Sequence, residues 1–279
     1  MPKLLAHRYG KARVRVLKIL REGSVHRIKD VTVAALLEGD FETSYASGDN
    51  TKVVATDTIK NTINILAKKH LGDDIEQFAT TIGEHFLGKY KHVARVNVSI
   101  DERRWQRMEP DGTPHPHSFV GRSDSTAFTE GIFTRTEKTL HSGIRDLLIL
   151  KSTGSGFEKY LKDEFTTLPE TSDRILATSF TARWKFDQSR ENYRNANDAI
   201  LSAMLKVFAE NYSPSAQTTL FQMGEAALDA CPEISQIDLA MPNKHCLLID
   251  LSRFGLDNRN EVFVPTDEPH GQIEATVAR

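Results

Sequence analysis

Three short segments set reactive side chains where one element of the sequence gives way to the next. Tyr9-Gly10-Lys11 places an amine just ahead of an alternating run, residues 14–20. Thr56-Asp57 places a hydroxyl and a carboxylate where an extended run, residues 52–57, passes into a helical pattern. Asn243-Lys244-His245 places an amide and an imidazole at the mouth of a hairpin. Amine, hydroxyl and imidazole are the groups of acid–base chemistry. Taken singly, each segment also has an ordinary structural reading: a solvated lysine, a helix cap, a turn histidine.

Other chemistries have weaker support. His115 and His117 bring two imidazoles together beside a Pro/Gly turn, without a third ligand at zinc-site spacing. Thr153-Gly-Ser-Gly156 is part of a glycine-rich turn. It lacks the Gly-Lys-Ser/Thr ending of a phosphate loop and the GxGxxG spacing of a dinucleotide site. No Gly-x-Ser-x-Gly nucleophile elbow occurs.

The composition bounds the rest. The 279 residues are enough for two domains of ordinary size. Thirty-six basic residues against 38 acidic ones leave a net charge of -2, so no global field favours nucleic acid. Basic runs at residues 13–18 and 103–107 read as solvated faces. Cys231 and Cys246 lie in no CxxC motif, and the chain is expected to work reduced and without disulfides. The first ten residues lack the apolar core of a secretion signal, no run is long enough to span a membrane, and Val277-Ala278-Arg279 is no peroxisomal address. The expectation is a soluble cytoplasmic protein.

The elements that must carry these residues follow from periodicity. Alternation predicts strands near residues 14–20, 31–39, 93–100 and 127–134. Ile59, Ile63 and Leu66 recur at helical spacing from Thr58 onward, and Ile75, Phe78, Ile82 and Phe86 do so between residues 73 and 90. The second half repeats the order. Strands are expected at 147–151 and 174–180, with a loop and short helix at 153–157 between them. A helix over 193–209 buries Ile200, Met204, Val207 and Phe208. Ser213 is expected to cap the next helix, with Pro214 as its first residue. Strands close the half at 234–241 and 246–251. Two ββααββ units follow, residues 1–138 and 139–279: an α+β fold with antiparallel sheets and helices on one face. Joining the open sheets into a barrel would remove their edges.

Several stretches together resemble the urate oxidase (uricase) family. They are Arg8-Tyr-Gly-Lys11 with Val14-Arg-Val16, Val54-Ala-Thr-Asp-Thr-Ile-Lys-Asn61, and Lys151-Ser-Thr-Gly-Ser-Gly-Phe157. Leu168-Pro-Glu-Thr-x-Asp-Arg174, Ser213-Pro-Ser-Ala-Gln217, Met241-Pro-Asn-Lys-His245 and Ile249-Asp-Leu251 complete the set. The resemblance spans the chain and implies the tunnelling fold (T-fold): two units per chain, a barrel closed between two subunits, and a homotetramer of stacked barrels. It departs from the family pattern at Ala216, where valine is usual; a backbone contact survives that change.

The resemblance implies an oxidase that uses urate, O2 and water and needs neither metal nor organic cofactor. It assigns Arg174 and Gln217 to grip urate, a planar anion edged with carbonyls and N–H groups. A guanidinium fork suits that edge where a lysine point charge does not. Phe157 would stack on the purine, Leu168 line the pocket, and the Ala216 backbone touch the ring. Lys11, Thr56 and His245 would form a proton relay, with Thr56 and Asp57 reaching urate from a neighbouring subunit. Asn243 and Thr56 would hold oxygen and then water above the ring. Two alternatives stand beside this: a pterin or cyclohydrolase-type enzyme of the same architecture, and a purine-binding protein without catalysis.

Overall fold

The computed structural model describes residues 3–121 and 125–279. The chain forms two compact units: Met1–Gly143 with Lys185–Asn195, and Ile144–Trp184 with Ala196–Arg279.

In the first unit, β1 (Tyr9–Glu22) and β2 (Val25–Gly39) form a long hairpin. A short α1 (Glu42–Ala46) leads to α2 (Thr56–His70) and α3 (Ile75–Lys89). Then come β3 (Val93–Arg103), a small two-stranded flap of β4 (Trp105–Arg107) and β5 (Phe119–Gly121), β6 (Thr126–Phe133), and the start of β7 (Lys138–Lys151). The strand order is β1-β2-β3-β6-β7, and the pairings of β1 through β6 are antiparallel.

Alternation decides which face is covered. Val31, Val33, Ala35 and Leu37 on β2 and Val96, Val98 and Ile100 on β3 are buried. Against that side of the sheet lie α2 and α3, which bury Ile59, Ile63 and Leu66, and Ile75, Phe78, Ile82 and Phe86. These are the stripes expected from spacing. The opposite face is polar: Glu38 accepts from Asn97 at 2.7 Å and pairs with Arg95 at 3.5 Å.

The second unit holds the end of β7, all but the last two residues of β8 (Leu176–Phe186), α4 (Tyr193–Glu210) beyond its first three residues, α5 (Ala216–Ala230), β9 (Ile234–Ala240), β10 (Asn243–Leu248), β11 (Phe263–Gly271) and β12 (Glu274–Ala278). β8 pairs with β10 and β9, β10 with β11, and β9 with β12. Ile200, Met204 and Phe208 are buried on α4; Val207, expected beside them, is only half-buried. The ββααββ order thus occurs twice, and the architecture is α+β.

Several local expectations are corrected. Residues 52–55 are turn and coil, and α2 begins at Thr56 rather than Thr58, with Ala55 at the cap position. Ser215, not Ser213, caps α5: its hydroxyl accepts from the Thr218 amide at 3.1 Å. Ser213 is fully buried, with its hydroxyl against Thr219. No helix forms at residues 153–157. The strand placed at 174–180 is Leu176–Phe186, which leaves Arg174 in the preceding loop. Among the described residues no helix is long and apolar enough to cross a membrane.

Candidate active site

In the second unit a cavity of about 260 Å³ is lined by Phe157, Leu168, Arg174, Asn243 and His245, among others. All five are site residues expected from the sequence. Strand pairing brings Asn243 and His245 to Arg174. Asn243 lies opposite Thr178 and Lys244 opposite Ala177, so the start of β10 sits beside the start of β8, directly after Arg174.

The wall carrying Phe157 is a short extended segment held on both sides. Ser155 bridges to Ser213: the Gly156 amide donates to the Ser213 carbonyl at 2.8 Å, and the Ser213 amide to Gly154 at 2.9 Å. On its other side Phe157 exchanges two backbone bonds with Thr171, at 2.7 and 3.1 Å, and the Arg174 amide donates to Ser155 at 2.7 Å. Asp173 fastens the turn: its carboxylate accepts from the Thr153 hydroxyl and from the Gly154 amide, both at 2.9 Å. Gly154 adopts φ of +74°, a conformation glycine takes at little cost. At Gly156 a Cβ would meet the Tyr212 hydroxyl at 2.3 Å and the Thr171 carbonyl at 3.0 Å, so only glycine fits. The glycine-rich stretch is therefore a turn pinned through its backbone. Sequence reasoning gave neither Asp173 nor Tyr212 a role in the site; the signal available was the place of Asp173 in the Leu168-Pro-Glu-Thr-x-Asp-Arg174 stretch.

Arg174 brings a guanidinium to the cavity, whose lining also includes Asp173 and Lys244. Its guanidinium carbon lies 5.2 Å from the centre of the Phe157 ring, which also stacks on Tyr160 at 4.8 Å. Burial pushes the Arg174 pKa below its ordinary value, and Tyr212 acts in the opposite direction. An arginine stays cationic at neutral pH regardless. Its buried Nε has no hydrogen-bond partner among the described residues. A donor left unpaired in a partly desolvated site costs about 1–3 kcal/mol until something fills it, so the group is poised for an acceptor.

Ala216 and Gln217 open α5, which the Ser213 bridge ties to the Phe157 wall. Ala216 is buried and Gln217 exposed, and neither lines the cavity. The leading amides of a helix have no intrahelical acceptor and favour an anion.

Lys11, Thr56 and Asp57 belong to the first unit. Thr56 and Asp57 are exposed in the first turn of α2, and Lys11 is half-buried on β1. The Asp57 carboxyl is held below the usual range by hydrogen bonding and charge from Lys60, with Asn61 and the Lys11 charge adding to it. Lys11 and Asp57 therefore share one electrostatic neighbourhood. Elsewhere in this unit the His115 and His117 rings lie 4.5 Å apart. Among the described residues no three His, Cys, Asp or Glu side chains converge to hold a metal.

Comparison with known proteins places this architecture. The uricase family model matches residues 7–130 and 140–274. Uricase from Oryctolagus cuniculus is 41% identical over 97% of this chain and 93% of its own length. Uricase from Emericella nidulans is 42% identical over 100% of this chain and 98% of its own length. The crystal structure of uricase from Arthrobacter globiformis superposes with a TM-score of 0.94 at 38% identity, covering 100% of this chain and 96% of that one. A match of this extent in family model, sequence and structure admits one reading: the chain belongs to the uricase family.

Proposed function

We propose that this protein oxidises urate with O2 and water to 5-hydroxyisourate and hydrogen peroxide. The observation that carries the reading is the Arg174 cavity, with a half-buried cation whose buried Nε has no partner among the described residues, beside Phe157, in a chain of this family. Arg174 grips the carbonyl edge of the urate anion as a fork, and Gln217 offers donors and an acceptor to a neighbouring edge. Phe157 stacks on the ring, Leu168 packs beside it, and the α5 amides at Ala216 face its negative charge.

Lys11, Thr56 and His245 move the protons. A threonine hydroxyl donates and accepts at once, so Thr56 passes a proton between urate and Lys11. Loss of a second proton gives an electron-rich dianion that transfers one electron to O2. Recombination of the radical pair forms a C5–O bond, giving a hydroperoxide. Hydrogen peroxide then leaves and water adds at C5, with Asn243 and Thr56 holding oxygen first and that water afterwards. The substrate supplies the electrons, so neither metal nor organic cofactor takes part.

Thr56 and Asp57 are exposed. In this reading they complete the cavity of a neighbouring chain in a homotetramer whose sheets close into barrels. The protein works in the cytoplasm and takes neither nucleic acid nor membrane as partner. Family membership sets aside the pterin-type alternative, and the assay separates the binding-only one. With chelator-treated protein, the urate absorbance should fall in air and hold steady under argon. A steady signal in air, with urate bound, would mean binding without catalysis.

A further inference from the structure

The Tyr9-Gly10-Lys11 segment does more than deliver an amine. Tyr9 opens β1 opposite Leu37, and Lys11 stands two residues on, opposite Ala35. Side chains two apart leave a strand on the same face, so the Tyr9 ring and the Lys11 amine rise side by side. The Tyr9 hydroxyl oxygen accepts the amide of Val54 at 2.8 Å. Val54 is 6% exposed and lies two residues before Thr56, the first residue of α2.

The ring itself is fixed. It meets Phe41 edge-on at 4.8 Å and 88°, and Phe41 is fully buried. The strand beneath is fixed as well, because a Cβ at Gly10 would fall 2.0 Å from the Ala35 carbonyl oxygen. Beyond Lys11 the register with β2 shifts, and Arg13 takes φ of +58°. One hydrogen bond thus joins two short arms: two residues of strand to Lys11 and two residues of loop to Thr56.

We infer that Tyr9 is a positioning residue for proton transfer, its hydroxyl setting the spacing between Lys11 on β1 and Thr56 at the head of α2. The inference rests on the relay assigned above to those two residues. Burial also pushes the Tyr9 phenol above its ordinary pKa, while the Val54 bond works the other way, so the hydroxyl stays a neutral acceptor at working pH.

The test is Tyr9→Phe, which keeps the ring on Phe41 and removes only the hydroxyl. Tyr90→Phe, another tyrosine of the same aromatic group, is the control. Misplacing one partner in a proton transfer should lower kcat about tenfold in Y9F while KM for urate stays within about twofold. The pH profile of kcat should change shape, and Y90F should match the parent in each respect. A normal kcat in Y9F would overturn the inference. So would equal losses in Y9F and Y90F, or a loss that only tracks the folded fraction. A second readout needs no turnover. The Asp57 carboxyl feels the Lys11 charge, so its NMR titration should move toward the ordinary carboxylate range in Y9F; an unmoved titration would count against Tyr9. Failure of the parent protein to oxidise urate would defeat the assigned function instead, and the Asp57 titration would still decide the spacing.

Discussion

Arg174→Ala should weaken urate binding about 100-fold. The guanidinium is half-buried, its Nε has no partner among the described residues, and its fork lies over the Phe157 ring. Hydrogen bonds to a charged partner contribute about 1.5–3 kcal/mol each. A fork making two, at the lower figure, gives about 3 kcal/mol, or a factor of about 100 at 1.4 kcal/mol per decade. Arg174→Lys keeps the charge and loses the fork, so it should cost about half of that free energy, near tenfold. Urate is consumed only when oxygen is present, so calorimetry under argon reads the dissociation constant without turnover. An R174A affinity within about twofold of the parent, in a folded protein, would refute the assignment of Arg174 as the urate anchor.

Four other outcomes are expected. Lys11→Met should lower kcat about 100-fold or more with urate affinity nearly unchanged, measured by steady-state rates and anaerobic binding. Co-expressed K11M and R174A chains should recover about a quarter of parent activity if each site draws its two halves from different subunits, and none if it draws them from one. Lys18 donates to the carbonyls of Ala67, Lys68 and Leu71 at 2.9, 3.1 and 2.7 Å, closing the C-terminal end of α2. Lys18→Ala should therefore lower stability in urea by about 1–2 kcal/mol. Burial raises the Tyr193 phenol pKa, with the Arg190 amide opposing. A raised folded pKa means stability that is complete below the ordinary tyrosine value of about 10 and lost as pH climbs through the raised one. Tyr193→Phe should remove that part of the alkaline destabilisation, followed by phenolate absorbance and circular dichroism.

The doubled ββααββ order was legible because each element buries one face, and burial writes a period into the sequence. Val31, Val33, Ala35 and Leu37 alternate; Ile59, Ile63 and Leu66 step by helical turns. What escaped depends on contacts between residues distant in sequence. Ser213 and Ser215 are equally good caps on paper. Ser213 is withdrawn by its bridge to Ser155 and its contact with Thr219, which leaves Ser215 to close α5. The turn at residues 153–157 looked free to form a helix until Asp173 and Ser213 claimed its backbone. β11 and β12 went unread because their 14 residues contain few buried side chains, so no period marks them. In the site, Asn243 and His245 come beside Arg174 because β8 pairs with β10, and Phe157 is held there by its bridge to Thr171, pairings that residue types alone do not encode. Asp173 and Tyr9 act through backbone amides, and that role leaves no pattern in composition or spacing.

The most direct test of the account follows urate, oxygen and peroxide together in one vessel, with chelator-treated protein and no added cofactor. Oxidation driven by the substrate's own electrons predicts equal molar losses of urate and O2 and an equal gain of hydrogen peroxide. Urate loss without peroxide, or a rate that chelation abolishes and a metal salt restores, would contradict it.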